Sequence, residues 1–479
     1  MLLISRMGLA LCILAGATIS TLTAQDRPAL RAGAFAQDIT PTKFPISSNG
    51  NMSDRMARQA HDRLHARCLV LADGSTKLAI VVCDSCMIPR ELMDAAKAKA
   101  AQKTGIPAGN ILISATHSHS CPTVTGVFQS DPDAEYIAFL IDRIAEGIAE
   151  AHGRLQPARV GWGSAQEPGQ LFNRRWHLKE GVLGENPFGQ KVDTVRMNPG
   201  YSSPDVTKPA GPVDPEVAIL AVQTADGAPL ALLANYSLHY VGGVGGEDLS
   251  ADYFGEFAHR VGRAIKVSGD HPFVGILSNG TSGDVNNVNF SLTAGPKRQP
   301  YEQMGLVAEA VAQAAKAAWE SVDFQSSAKL AVATREIDLG VRLPSAEDVA
   351  AAEARLAAAA GRPLKGAPEI YARETVLLAK YPATVKSLIQ AIRIGDLGIA
   401  SSPCETFTET GLAIKGGSPL KKTFTIELAN GYNGYLPTPA QHDLGGYETW
   451  RARSSYLARD AEPKIRAAQL ELLRQVAAD

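Results

Sequence analysis

Thr116-His117-Ser118-His119 closes the apolar run Ile111-Leu112-Ile113-Ser114-Ala115, in a chain that has only ten histidines. If the run is a strand that carries on through the pair, side chains alternate with period two and both imidazoles face one side. The carboxyl ends of strands are where open α/β sheets keep their sites. Two imidazoles there could hold a metal ion; they could equally be exposed loop histidines. Other residues able to do chemistry are bland on their own. His239 follows the apolar run Leu230 to Tyr236 and reads as a hydrogen-bonded core histidine. Glu405 reads as a carboxylate at a helix N-terminus, where the dipole favours it. Tyr432 and Tyr435 read as half-buried aromatics, and Arg174 as a solvated loop charge.

The elements that would position these residues alternate between strand and helix. Cys68-Leu69-Val70-Leu71 and Leu78 to Val82 are strands around the turn Asp73-Gly74. Helices are predicted near 89–103, ended by Gly105 and Pro107, and over 134–152. Val217 to Val222 and Leu230 to Tyr236 form a hairpin around Ala225-Asp226-Gly227. A helix near 252–266, capped by Ser250, leads to the strand Val274 to Leu277 and then to an Asn- and Gly-rich loop, 279–289. Helices follow near 301–320, 345–359 and 367–380, then a hairpin of Thr384 to Ile394 and Leu397 to Ser401 that delivers Glu405. A last amphipathic helix covers 462–477. The stretch 165–215, rich in Gly, Pro and Asn, is long for a loop and reads as an excursion lining a site. The fold expected is one large α/β domain: a mixed β-sheet core flanked by helices, with the metal site at strand ends.

Composition sets bounds. With 479 residues and 45% hydrophobic content the chain can bury a large core. A net charge of −2 gives no reason to expect nucleic acid as a partner. Residues 1–24 read as an export leader: Arg6, the apolar stretch Met7 to Leu14, and cleavage after Ala17 or Ala24. Residues 25–479 would then be a single domain, exported to the periplasm or the medium, with no transmembrane segment once the leader is removed. Cys12 lies in the leader. Cys68, Cys83, Cys86, Cys121 and Cys404 read as buried thiols or as one local disulfide, in Cys83-Asp84-Ser85-Cys86 or between Cys121 and Cys404.

Ala115-Thr116-His117-Ser118-His119-Ser120-Cys121-Pro122 resembles the A-T-H-T-H-S-G-P signature of the neutral ceramidase family. The resemblance runs on in order. Gly33-Ala34-Phe35-Ala36-Gln37-Asp38-Ile39-Thr40-Pro41 is similar to G-x-G-x-x-D-I-T-G-P, Asn173-Arg174 to N-R-S-P, and Asn235-Tyr236-Ser237-Leu238-His239 to N-W-F-A-x-H. Ser278 to Val285 is similar to S-N-x-G-D-V. Ile394-Gly395-Asp396-Leu397, Pro403-Cys404-Glu405 and Asn430-Gly431-Tyr432-Asn433-Gly434-Tyr435 complete the series, over roughly residues 30–450. There are departures. Gly283-Asp284-Val285-Asn286-Asn287 has Asn286 where the family has a serine near its substrate pocket, and Cys121 and Cys404 replace glycines. The family's additional carboxy-terminal β-sandwich is not expected.

The resemblance implies a zinc hydrolase acting on the amide of an N-acyl sphingolipid. It makes His117, His239, Glu405 and Tyr435 the ligands of one Zn2+, a set that leaves room for water. It makes His119 a general acid/base, and Arg174 and Tyr447 the groups that hold an oxyanion. The loop with Asp284 and Asn286 would bind substrate, a lipid or other small molecule. An ester or an acylated sugar could replace the lipid amide at the same metal. A non-catalytic binding protein that keeps the fold is a further alternative.

Overall fold

The structure is a computed structural model that describes residues 30–268 and 272–479; the expected leader, 1–24, lies outside the described residues. Eight strands form the main sheet, in the order Val274–Asn279, Pro229–Tyr236, Glu216–Thr224, Gln156–Gln166, Arg31–Asp38, His65–Ala72, Lys77–Cys83 and Ile111–Ala115. The pairing is antiparallel except at the two ends. There Val274–Asn279 lies parallel to Pro229–Tyr236, and Ile111–Ala115 parallel to Lys77–Cys83. A second sheet has four strands: Leu330–Gly340, Thr384–Ile394, Leu397–Ser401 and Lys422–Ile426.

Alternation along the central strands dictates how these sheets stack. Leu69, Leu71, Ile80 and Val82 all point to one face, where they meet Ile392, Ile394, Ile399 and Phe424 of the smaller sheet. Their neighbours Cys68, Val70, Ala79 and Val81 point to the other face, against helices Arg90–Thr104 and Ala134–Gly153. Helices Asp252–Ala264 and Glu302–Glu320 cover the other half of that face, through Phe254, Phe257, Val307 and Val311. The smaller sheet's outer surface takes Ile465, Leu472 and Leu473 of helix Ala461–Ala478. The result is four layers, helix, sheet, sheet and helix, each apolar face buried by the next.

The main sheet curls until its two edge strands come within 8 Å, Cα to Cα. The segment after Lys422–Ile426 fills the remaining gap. The Ala115 N–H donates to Leu428 O (3.1 Å), the Asn430 N–H to Ile113 O (2.8 Å) and the Glu427 N–H to Asn279 O (3.2 Å). The loops that follow Ile111–Ala115, Pro229–Tyr236 and Val274–Asn279 thus open into one region, where Asn279 Nδ2 donates to Thr116 O (3.5 Å) and His117 meets His239.

The mixed sheet flanked by helices agrees with expectation; a second sheet packed on the first is new. Strand Gln156–Gln166 escapes a sequence reading because Gly161 and Gly163 interrupt its pattern. Both mark a close approach: a Cβ on Gly161 would lie 2.3 Å from Val322 Cγ1, just beyond helix Glu302–Glu320. The stretch 165–215 carries short strands of its own, among them Arg175–Leu178, Val195–Met197 and Val206–Pro209 in one small sheet. Neither disulfide exists, since all five described cysteines are free and buried. Phe424 is fully buried between the sheets, so Phe424→Ala should lower the unfolding free energy by about 3–5 kcal/mol. The denaturation midpoint measures this, and a loss below ~1 kcal/mol would mean the sheets do not share a core there.

Candidate metal centre

The strand Ile111–Ala115 ends before the histidine pair. Residues 116–120 form a turn in which His117 takes φ +71°, a conformation uncommon for any residue with a Cβ. Strand alternation therefore does not explain why the two imidazoles converge; the turn does. The His117 N–H donates to Ser85 O (2.9 Å), and its Nδ1 lies 2.7 Å from Cys86 O. His239, on the loop after Pro229–Tyr236, has its Nδ1 3.2 Å from Ser282 O. A carbonyl accepts only from a protonated nitrogen, so both rings carry their proton on Nδ1 and present a bare lone pair at Nε2.

Those lone pairs face one another. His117 Nε2 lies 3.0 Å from His239 Nε2 and 3.1 Å from Glu405 Oε2, which is 3.7 Å from His239 Nε2. All three side chains are almost completely buried. Glu405 Oε2 has no hydrogen-bond partner, while its Oε1 accepts from Tyr432 OH at 2.9 Å. Buried acceptors pointing at each other repel unless a cation lies between them. A tetrahedral ion with bonds of about 2.0–2.2 Å spaces its ligand atoms ~3.3–3.6 Å apart, close to these three separations. Burial, with His117, Arg174 and His119 adding to it, holds the His239 imidazole well below its ordinary pKa, in the neutral form that binds metal. The residues fit a divalent ion. Cys86, His117 and His119 form a second group within reach of one another. Its thiol sits 3.9 Å from His117 Nδ1, a nitrogen already used, and burial raises the Cys86 pKa far above normal. The set with Glu405 is the better site.

Tyr435 stands directly opposite Glu405 in a short parallel ladder, Glu405–Thr406 with Tyr435–Leu436. Burial, then Glu405, pushes its hydroxyl well above the ordinary range, so without a cation it stays protonated. His119 Nε2 is 3.1 Å from His117 Nε2, and its ring stacks on Tyr240 at 3.6 Å. Gly50 makes the room: at φ +109°, a Cβ there would sit 2.4 Å from the His119 ring.

Arg174 is no solvated charge. Its Nε donates to Glu448 Oε1 (2.9 Å) and its Nη2 to Gly283 O (2.9 Å), and the guanidinium lies 5.4 Å from the Tyr435 ring centre. Glu448 also accepts from Arg175 Nη1 at 2.6 Å. Burial works to raise the Glu448 pKa, but Arg175 and Arg174 outweigh it and keep the carboxylate ionised. Tyr447, the residue before Glu448, packs edge-on against Tyr435, ring centres 5.7 Å apart. The region 165–215 thus supplies a buried, fixed cation.

Asp284 sits beneath the loop rather than in the cleft. It is fully buried; Asn173 Nδ2 donates to its Oδ2 (2.7 Å) and the Thr408 N–H to its Oδ1 (2.9 Å), at the start of helix Thr408–Gly417. Asn286 does line a cavity, which it shares with Arg174 and Tyr240. Sequence reasoning passed over Glu427, Tyr240 and the use of Tyr432. Glu427 is fully buried and accepts from Ser282 Oγ (2.7 Å) and the Thr406 N–H (2.7 Å), tying the His239 anchor to the Glu405 strand. Its only signal was a position just past a strand, which reads as a solvated charge.

Residues 31–296 match the sequence profile described as neutral/alkaline non-lysosomal ceramidase, N-terminal. Among solved structures the chain is similar to the neutral ceramidase from Pseudomonas aeruginosa, at a TM-score of 0.71 and 18% identity, over 94% of this chain and 74% of that one. It is also similar to a ceramidase complexed with C2, at a TM-score of 0.70 and 17% identity, over 94% and 76% of the two chains. At those identities the likeness speaks for the fold.

Glu405 depends on Tyr432 for its orientation, which gives a direct test. Tyr432→Phe should weaken metal binding about 10- to 100-fold, the scale of losing a hydrogen bond behind a ligand, in competition with a chelator. His117→Ala and His239→Ala should bind no metal. Unchanged affinity in Tyr432→Phe would mean that Glu405 is positioned by its ladder alone.

Proposed function

The chain belongs to the neutral/alkaline non-lysosomal ceramidase family, and from this we propose that it is an exported, metal-dependent hydrolase cleaving the amide of a ceramide-like N-acyl substrate. The observation that carries the proposal is the trio of buried ligand atoms at His117, His239 and Glu405, close enough together for one metal cation to bind all three. Imidazole and carboxylate ligands suit zinc, and Tyr435, opposite Glu405, would complete the set. When bound, the ion would supply Lewis acidity and a water acidified toward pKa ~7.

The chain's own residues do the rest. His119, supported against Tyr240 and close to His117, takes the proton of the attacking water and returns it to the leaving nitrogen. A C–O bond forms as the C–N bond breaks, leaving a fatty acid and an amine. Arg174 is pre-aligned by Glu448 and Gly283, so it meets charge developing on the carbonyl oxygen without reorganising. The Tyr447 hydroxyl, raised above its ordinary pKa by burial, then by Glu405, stays protonated and able to donate to that oxygen. Asn286 contributes to holding the polar part of the substrate, while Asp284 holds the loop from behind. Among the described residues no helix is long and apolar enough to cross a membrane, which is compatible with export behind a leader at 1–24.

Tyr447→Phe should lower kcat by about 10²–10³ on a fluorescent short-chain ceramide, with KM and metal content barely changed. A fully active variant would remove Tyr447 from the oxyanion role. His119→Ala should keep its metal and lose turnover. Burial, then His117 and Arg174, depress the His119 pKa well below its ordinary value, and a bound cation pushes the same way. The base form therefore persists into acid, and the acid limb of kcat/KM should lie below pH ~6.5, the unperturbed histidine value. A limb at or above neutrality would assign the proton transfer to another group.

A further inference from the structure

Beside the metal centre lies a cavity of about 690 Å³, bounded on its inner side by Arg174 and Tyr240. Much of the remaining lining is side-chain amide: Gln170, Asn198, Asn286, Asn287, Asn289 and Gln303. These amides form relays. Arg298 Nε donates to Gln303 Oε1 (3.0 Å), Gln303 Nε2 to Asn287 Oδ1 (2.7 Å), and Asn287 Nδ2 to Gln170 O (2.7 Å) and Oε1 (3.2 Å). In a second relay Asn286 Nδ2 donates to Asn198 Oδ1 (2.7 Å), and Asn286 Oδ1 accepts from the Val288 N–H (2.9 Å). Each relay fixes its members and ends on an NH2 group, Gln170 Nε2 and Asn198 Nδ2, that has no partner among the described residues.

The cations at this cavity are already committed, Arg174 to Glu448 and Arg298 to Gln303 and Glu302. The lining is therefore no anion trap. Nor is it a plain acyl groove, because fixed uncharged donors and acceptors dominate it. Hydroxyl groups, which both donate and accept, are the ligand chemistry that matches amides held this way. The rings of Phe172, Tyr201 and Tyr240 add flat faces for a saturated ring, and half-exposed Leu292 and Leu306 add apolar surface for an acyl chain.

We propose that this cavity receives a polyhydroxylated group, so that the bond cleaved is the amide of an N-acylated amino sugar. Water adds its hydroxyl to the acyl carbon and its proton to the sugar nitrogen, giving a fatty acid and a free amino sugar. The inference rests on the hydrolytic reading above and puts the amide of an amino sugar in place of the ceramide-like amide named there.

Fatty-acid release by the zinc-loaded protein from N-octanoylglucosamine and from N-octanoylsphingosine tests it. The amino sugar should be favoured by tenfold or more in kcat/KM. Asn287→Ala and Gln170→Ala, which cut the longer relay, should each lower that preference by about tenfold, the scale of one or two lost hydrogen bonds, at unchanged metal content and thermal midpoint. Equal or faster cleavage of the sphingolipid, or a preference that neither variant moves, overturns the sugar assignment and leaves the hydrolytic reading standing. No cleavage of either substrate overturns the hydrolytic reading itself, and the sugar assignment with it.

Discussion

Three electron pairs that cannot hydrogen-bond to one another set the terms for this molecule. Had either imidazole kept a proton on Nε2, the cluster would be an ordinary buried hydrogen-bond network. It is not, because the Cys86 and Ser282 carbonyls claim the Nδ1 protons. The position of those two carbonyls is thus as consequential as that of the ligands. Cys86 follows the strand Lys77–Cys83, next to one edge strand of the main sheet, and Ser282 belongs to the loop after Val274–Asn279, the strand at the other edge. Glu427 then binds Ser282 and the backbone of Thr406 together. A single buried carboxyl couples the tautomer of one ligand to the placement of another.

The architecture makes sense in this light. A flat eight-stranded sheet would hold its edge loops far apart. Curling brings the edges together, and segment 427–430 closes the seam with backbone hydrogen bonds to both sides. The smaller sheet backs the curl with apolar side chains and also delivers Glu405 and Tyr435. Glu448 does for Arg174, the proposed oxyanion partner, what Cys86 and Ser282 do for the two imidazoles: it removes rotational freedom in advance, where low dielectric makes fixed charge effective.

Much of this could be read from the chain. The long helices, the hairpins and the neighbourhood of the histidines follow from periodicity and turn residues, which are local signals. His119 came to the right neighbourhood by the wrong route, since a left-handed turn at His117, not strand alternation, sets its direction. What stayed hidden depends on contacts distant in sequence. Gln156–Gln166 hides behind glycines whose only purpose is to admit a neighbouring segment. Glu427 looks like a surface charge until the partners that bury it are in place. Asp284 shows the reverse: a motif position that suggested ligand contact holds up a helix start instead. Side-chain amides at 170, 287 and 303 carry no periodic signature at all, and their relay exists only once segments distant in sequence meet.

The seam at 427–430 also bears on when the proposed ligand set is assembled. His117 and His239 are 122 residues apart, and Glu405 and Tyr435 are made later still. A growing chain emerges N-terminal first, so no early portion can present a complete set of ligands. The profile-matching stretch, 31–296, contains both histidines but neither Glu405 nor Tyr435. Loading of the proposed site would therefore be a late event in biogenesis, after the last strands have docked. The ion available wherever folding finishes, rather than wherever synthesis starts, is the one such a site would take up.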